Sequence, residues 1–245
     1  MIYFASDIHL GAGTAAEARE TERRFVAWLE RVGADAEAIV LLGDLFDFWF
    51  EYKEVVPKGF VRVLGELARL HDRGVRLILL SGNHDMWLRD YLTSECGVEI
   101  YTAPTTLEFY GHRLHLAHGD NLRIRRPSLL WLMNTCFRSR PLRWLFRWLI
   151  HPDLALRFGH WWSGKSRKSH RGTPLEPHLT QPLCDYAQSH HLGDPSIYAY
   201  LFGHMHIALD RTQEHPRTLH LGCWERGESY ATFDQEGHFQ LFDQA

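Results

Sequence analysis

The chain has 245 residues, 45% of them apolar and 23% charged, with a formal net charge of −3. That is enough apolar material for one large domain with a sizeable core, and too little net charge for a chain-wide polyanion-binding surface. Four widely spaced cysteines (Cys96, Cys136, Cys184, Cys223) contain no C-x-x-C pair, which suits free thiols in a reducing compartment better than a disulfide framework or a thiolate zinc site.

Residues 2–5 are apolar and predict a buried strand ending on SDIHLG. A strand-like start, in place of a basic segment followed by an apolar run and a cleavage site, predicts a cytoplasmic protein. No stretch reaches the ~18 consecutive apolar residues of a membrane span. Residues 16–32 place Phe25, Val26, Trp28 and Leu29 at helical spacing, and residues 60–71 do the same with Val61, Leu64, Leu67 and Leu70. Four further apolar runs read as strands: 38–42 ending on GDLFDFW, 75–80 on SGNHD, 114–117 on HGDN, and 198–202 on GHMH. Alternating strands and helices predict βαβ units and an α/β fold, with ligands at the carboxyl ends of the strands. Residues 209–242 alternate over short runs (RTLHLGCW, SYATFD, HFQLFD) and predict antiparallel strands closing a second sheet.

Residues 121–175 interrupt this alternation. They hold 12 of the 27 basic residues, one of the 30 acids (Asp153), and five of the nine tryptophans. Pro141 and Pro152 each stand where a helix can start. Leu142, Leu145, Phe146, Leu149 and Ile150 predict an apolar helix face flanked by Arg143 and Arg147. The segment reads as a helical cap inserted into a single domain spanning residues 1–245.

Collected in order, the strand-end residues are Asp7-x-His9, Gly43-Asp44, Gly82-Asn83-His84-Asp85, His118-Gly119-Asp120 and Gly203-His204-x-His206. Any one of these also suits ordinary loop capping. Five in succession, each at the end of an apolar run, point to a metal site with oxygen and imidazole donors, suited to Mn²⁺, Fe or Zn²⁺. In a strand, D-x-H and H-x-H would turn both donors to one side. A carboxylate such as Asp44 can bridge two ions ~3.5–4 Å apart.

The set D-x-H, G-D, G-N-H-[DE], H, G-H-x-H resembles that of the calcineurin-like metallophosphoesterases, and it spans Asp7 to His206. The resemblance implies a four-layer α-β-β-α sandwich and two divalent cations. Carried over by motif, Asp7, His9, Asp44 and His206 hold one ion. Asp44, Asn83, His118 and His204 hold the other. His84, oriented by Asp85, faces the phosphorus or the leaving group. The implied reaction is in-line attack of an activated water on a phosphoester or phosphoanhydride.

Two segments are similar to a narrower group, the bacterial UDP-2,3-diacylglucosamine hydrolases of lipid A biosynthesis: GDLFDFW at residues 43–49 and LGCW at residues 221–224. The inserted cap lies where those enzymes shelter acyl chains. The resemblance implies cleavage of the pyrophosphate to UMP and 2,3-diacylglucosamine 1-phosphate, with Mn²⁺ favoured. It also implies a lipid-linked UDP-sugar substrate and peripheral attachment to the inner face of the cytoplasmic membrane, without a nucleic-acid partner. Arg123, Arg125, Arg126, Arg157, Lys165 and Lys168 are the candidate phosphate-pairing residues of the cap. The chain departs from that group in carrying His84 where typical members read G-N-R-D. It also has basic, apolar NLRIRRPSLLW after H-G-D, where they are acidic with tyrosine. The alternative is a general phosphodiesterase or phosphatase acting on another lipid- or nucleotide-linked substrate.

Overall fold

Alternate residues of each central strand serve two different cores. In the computed structural model, which describes residues 1–120, 122, 139–170, 177–225 and 227–244, β1 (Ile2–Ala5), β2 (Ala38–Leu41) and β3 (Arg76–Leu80) run parallel. Ile2, Phe4, Val40, Ile78 and Leu80 point to one side, and Ala5, Ile39, Leu41, Leu77 and Leu79 to the other. A strand buried on both faces reads as a continuous apolar run, which is why these three were visible in the sequence.

The second of those faces packs on α1 (Ala15–Val32) and α2 (Val61–Asp72) through Phe25, Trp28, Leu29, Val63, Leu67 and Leu70. Thr14 caps α1 through a reciprocal box: its hydroxyl accepts from Glu17 N, and Glu17 Oε2 accepts from Thr14 N at 2.7 Å. The helix therefore starts a few residues after the Asp7–His9 loop. A short α3 (Tyr91–Cys96) leads into edge strand β4 (Glu99–Tyr101), which pairs parallel to β3.

The first face meets a second sheet. Its strands are β5 (Thr105–Phe109), β6 (His112–Ala117), β7 (Ile197–Phe202), β8 (Leu209–Arg211) and β9 (Arg217–His220), in the order β5-β6-β7-β9-β8. Leu114, Leu116, Ala199, Leu201 and Leu219 fill the space between the sheets. Fully burying a side chain of this size contributes about 1.5–3 kcal/mol. The outer face of the second sheet carries Ala117, Tyr200 and Phe202 against a helix at Gln181–Gly193. The layers are thus helix, sheet, sheet, helix, as the resemblance implies.

The carboxyl-terminal strands correct one expectation. They do not close a single second sheet. β9 lies parallel to β7 in the second sheet, while β10 (Ser229–Phe233) and β11 (Phe239–Asp243) extend the first, with β10 antiparallel to β1. Alternation identifies a half-buried strand but not its partner.

Residues 121–175 contribute two described helices, α4 (Arg140–Leu149) and α5 (Pro152–His170), with prolines in their first turns as expected; the Gln181–Gly193 helix is α6. The side of α4 that meets the body carries Arg143, Phe146 and Arg147. Phe146 packs on Phe50 and Trp87, and Arg147 lies 5.7 Å over the Phe50 ring. The predicted apolar face is therefore divided. Leu142, Trp144, Leu145, Trp148 and Leu149 point outward, with Trp148 74% and Trp144 65% exposed. The long aliphatic and guanidinium parts of arginine pack well on aromatic rings, which lets Arg143 and Arg147 take the inner side.

Candidate active site

All the sequence-predicted metal donors lie just past the carboxyl ends of β1, β2, β3, β6 and β7. None of the D-x-H or H-x-H pairs is in a strand: β1 stops at Ala5 and β7 at Phe202. Their convergence comes from backbone shape. Among the described residues, seven non-glycine positions have positive φ, and five of them are Asp7, His9, Asp44, His204 and His206, at φ 50–69°. Left-handed backbone costs a non-glycine residue of order 1–3 kcal/mol and is retained where surrounding structure enforces it. Two glycines allow the close approach. A Cβ at Gly82 would lie 2.1 Å from Asp44 Oδ1, and one at Gly203 would lie 2.0 Å from Ser6 Oγ.

Two donor groups meet at one carboxylate. In the first, His206 Nε2 is 3.2 Å from Asp7 Oδ1 and 3.2 Å from His9 Nε2, and His9 Nε2 is 3.9 Å from Asp44 Oδ2. In the second, His118 Nε2 is 3.3 Å from Asp44 Oδ2 and 3.2 Å from Asn83 Oδ1, with His204 completing a set of donor atoms within 4.8 Å. Asp44 Oδ2 belongs to both.

The opposite edges of these side chains are fixed by neighbours. Asp7 Oδ2 accepts from the Ser6 hydroxyl at 2.6 Å and from His204 N at 2.8 Å. Asp44 Oδ1 accepts from His84 N at 2.8 Å. His118 Nδ1 donates to the Leu42 carbonyl at 2.8 Å, which selects its tautomer and presents Nε2 inward. The inward atoms are left for something else. Asp7 Oδ1 is buried with no hydrogen-bond partner of acceptable geometry among the described residues. A divalent cation fits such a set. It satisfies the orphaned oxygen, and it separates two imidazole nitrogens that otherwise face each other across 3.2 Å.

The electrostatics of the metal-free site point the same way. Burial opposes charge on His118, but Asp44 beside it pushes its pKa up to about 10. Burial likewise opposes charge on His206, yet Asp7 holds it well above its ordinary value, with further help from the Cys223 thiol. Burial lowers His9 to about 3 and His204 to about 4, so both are neutral donors at physiological pH. Protons on His118 and His206 thus neutralise the two carboxylates, as cations do when bound.

His84 is beside the pair: it, His9 and Asp44 bring donor atoms within 4.8 Å of one another, and its ring lies edge-on to that of His9 with centroids 4.8 Å apart. Its expected orienter is corrected. The Asp85 carboxylate accepts from Gly82 N at 2.7 Å and Leu45 N at 2.8 Å, stapling together the loops that carry Asn83 and Asp44. Adjacent side chains in a tight turn diverge, so Asp85 points into the protein while His84 points into the site. Burial and then Asp44 raise the Asp85 carboxyl to about 7. His84 Nδ1 instead donates to the Asp47 carbonyl at 2.9 Å and to Ser163 Oγ at 3.1 Å, with Asp47 Oδ1 at 3.8 Å. Asp47 and Ser163 were missed in the sequence. Asp47 sits inside GDLFDFW and could have been suspected from that motif; Ser163 carries no sequence signal.

Of the candidate phosphate-pairing residues, only Arg157 has a side chain among the described residues. Arg157 is exposed on α5. Lys165 and Lys168 lie on the same helix, but their side chains fall outside the described residues, as do Arg123, Arg125 and Arg126 altogether. A narrow cleft beside His118, walled by Leu80, Thr102, Pro104 and Leu122, opens next to the second donor group.

The chain is similar to known proteins over most of its length. The family model described as calcineurin-like phosphoesterase matches residues 1–208. A UDP-2,3-diacylglucosamine hydrolase of Porphyromonas gingivalis is 39% identical, covering 95% of this chain and 94% of that protein. One of Nitrosococcus oceani is 28% identical over 97% of this chain and 93% of its own length. Among solved structures, an archaeal phosphodiesterase covers 98% of both chains at 10% identity, with a TM-score of 0.48. The chain belongs to the calcineurin-like phosphoesterase family and is a hydrolase.

Proposed function

We propose that this protein hydrolyses the pyrophosphate bond of UDP-2,3-diacylglucosamine, giving UMP and 2,3-diacylglucosamine 1-phosphate for lipid A biosynthesis. The observation that carries phosphoester chemistry is the meeting of two donor groups at Asp44 Oδ2. Asp7, His9, Asp44 and His206 would hold one divalent cation, and Asp44, Asn83, His118 and His204 the other, with Mn²⁺ favoured and Fe or Zn²⁺ tolerated by the same donors. When bound, the pair supplies Lewis acidity to the phosphoryl oxygens and a water acidic enough to attack near neutral pH.

The chain's own residues do the rest. With Nδ1–H committed to Asp47 and Ser163, His84 in its imidazolium form would donate from Nε2 to a phosphoryl oxygen or pass that Nε2 proton to the leaving group. Asp85 acts at one remove, by fixing the Asp44 and Asn83 loops.

The lipid substrate is supported by the names of the relatives and by the cap. Residues 121–175 form an insertion within one catalytic domain, and the outward apolar side of α4, with Leu154 and Phe158 of α5, suits acyl chains and a bilayer surface. No helix among the described residues is long and apolar enough to cross a membrane. The protein would then work peripherally, on the inner face of the cytoplasmic membrane. Arg123, Arg125, Arg126, Arg157, Lys165 and Lys168 are proposed to meet the substrate phosphates. His84 in place of arginine favours one second reading, a phosphodiesterase for another lipid- or nucleotide-linked ester. The test is incubation with UDP-2,3-diacylglucosamine and Mn²⁺. Release of UMP supports the first reading; no UMP, with turnover of a soluble phosphodiester, transfers the assignment to the second.

A further inference from the structure

We propose that Ser163, carried on the cap helix α5, is a positioning residue of the catalytic centre that holds His84 by its Nδ1, so that seating of the cap and competence for chemistry are one event. The inference rests on the phosphoester-hydrolase reading of the site, and it gives the cap a task besides sheltering lipid.

The geometry is a closed triangle. Ser163 is 2% exposed, and its hydroxyl donates to the Asp47 carbonyl at 2.7 Å. The single hydroxyl proton is thereby used, so the lone pairs of Ser163 Oγ receive the N–H of His84 Nδ1 at 3.1 Å. The same N–H reaches the Asp47 carbonyl at 2.9 Å. Both partners of Nδ1 are acceptors, so Nδ1 carries a proton and Nε2 is the nitrogen proposed to meet substrate.

The rest of α5 fixes where Ser163 lies. Ala155, Gly159 and Ser163 recur every four residues and so share one face of the helix. Ala155 is 1% exposed, and a Cβ at Gly159 would lie 2.2 Å from the Phe48 ring, so the helix backbone is seated directly on the loop after β2. At the junction of α4 and α5, the Tyr52 hydroxyl donates to the Ile150 carbonyl at 2.7 Å. The loop that carries Asp47 also carries Phe48 and Tyr52. A shift of α5 along its axis would therefore withdraw the hydroxyl from His84 and leave the imidazole with one partner in place of two.

The experiment uses Ser163→Ala and Ser163→Thr in the full chain. Both are assayed with bis(4-nitrophenyl) phosphate, which has no lipid for the cap to bind. Ser163→Ala is expected to lower kcat by about tenfold, as removal of a supporting hydrogen bond typically does, with KM within about twofold of native. Ser163→Thr keeps the hydroxyl and is expected to restore most of the loss. In metal-free protein labelled with ¹⁵N-histidine, the His84 Nδ1–H resonance should be present in the native and threonine proteins and shifted or lost in the alanine variant. A native kcat in Ser163→Ala, an equal loss in both variants, or an unchanged His84 resonance would overturn the proposal. A native protein that turns over no phosphoester, with the resonances changing as stated, would sink the hydrolase reading and leave the positioning role standing.

Discussion

The outward side of α4 gives the sharpest quantitative expectation. Trp144 and Trp148 are one turn apart, their rings parallel to within 6° at 6.4 Å, and they face away from the body. An aromatic side chain offers about 150–250 Å² for burial. With 65% and 74% of each exposed, complete burial at ~25 cal/mol/Å² would be worth about 2.5–4.5 kcal/mol per ring. A bilayer interface dehydrates roughly half of that surface, leaving about 1–2 kcal/mol each. The double substitution Trp144→Ser with Trp148→Ser should therefore weaken partitioning onto vesicles by about 30- to 1,000-fold, at 1.4 kcal/mol per decade. The assay is co-sedimentation with sucrose-loaded phosphatidylethanolamine–phosphatidylglycerol vesicles, with turnover of bis(4-nitrophenyl) phosphate as the control. Turnover should stay within about twofold, because neither ring touches the donor groups. Native-like partitioning of the double variant would refute the membrane-facing role of this helix.

Three further expectations concern the site. Asp44→Ala removes the carboxylate shared by both donor groups; turnover should fall by at least about 10³-fold and bound metal below two ions per chain, measured by elemental analysis. Asp85→Ala leaves the buried Gly82 and Leu45 amides unpaired and should cost about 2–4 kcal/mol, read as a lowered midpoint in urea, with His84 still anchored by Asp47 and Ser163. The third is a pH dependence. In the metal-free protein His118 is raised from 6.5 to about 10, so its charged pairing with Asp44 stabilises the fold fully below pH 6.5 and is lost as pH rises through about 10. Metal uptake needs the free base, so affinity should climb over the same window, with about one proton released from His118 at pH 7–8; calorimetry in buffers of different ionisation enthalpy measures it.

The parts of this molecule legible in the sequence are those specified locally. β1, β2, β3, β6 and β7 are short apolar runs that end on glycine or polar residues, and every proposed metal donor follows one of them. What was not legible depends on partners far along the chain. SYATF reads as a strand, but nothing in it says that β1 is its neighbour. Asp85 follows His84 directly and looks like its partner, whereas the actual partners lie 37 and 79 residues away. The alternating pattern of α4 identified an amphipathic helix, but not that its arginines would take the inner side and its tryptophans the outer.

The chain order of the donors bears on how the protein matures. His9 and His206 are separated by 197 positions, yet their imidazole nitrogens are neighbours. During synthesis the first ion site has no complete donor set until β7 has left the ribosome, and the sheet that carries Asp7 gains β10 later still. Contacts of such long separation form slowly and late. The first donor set is therefore complete only once residue 206 has been made. The outward apolar side chains of α4 are made before His204 and His206, and so before the donor set is complete.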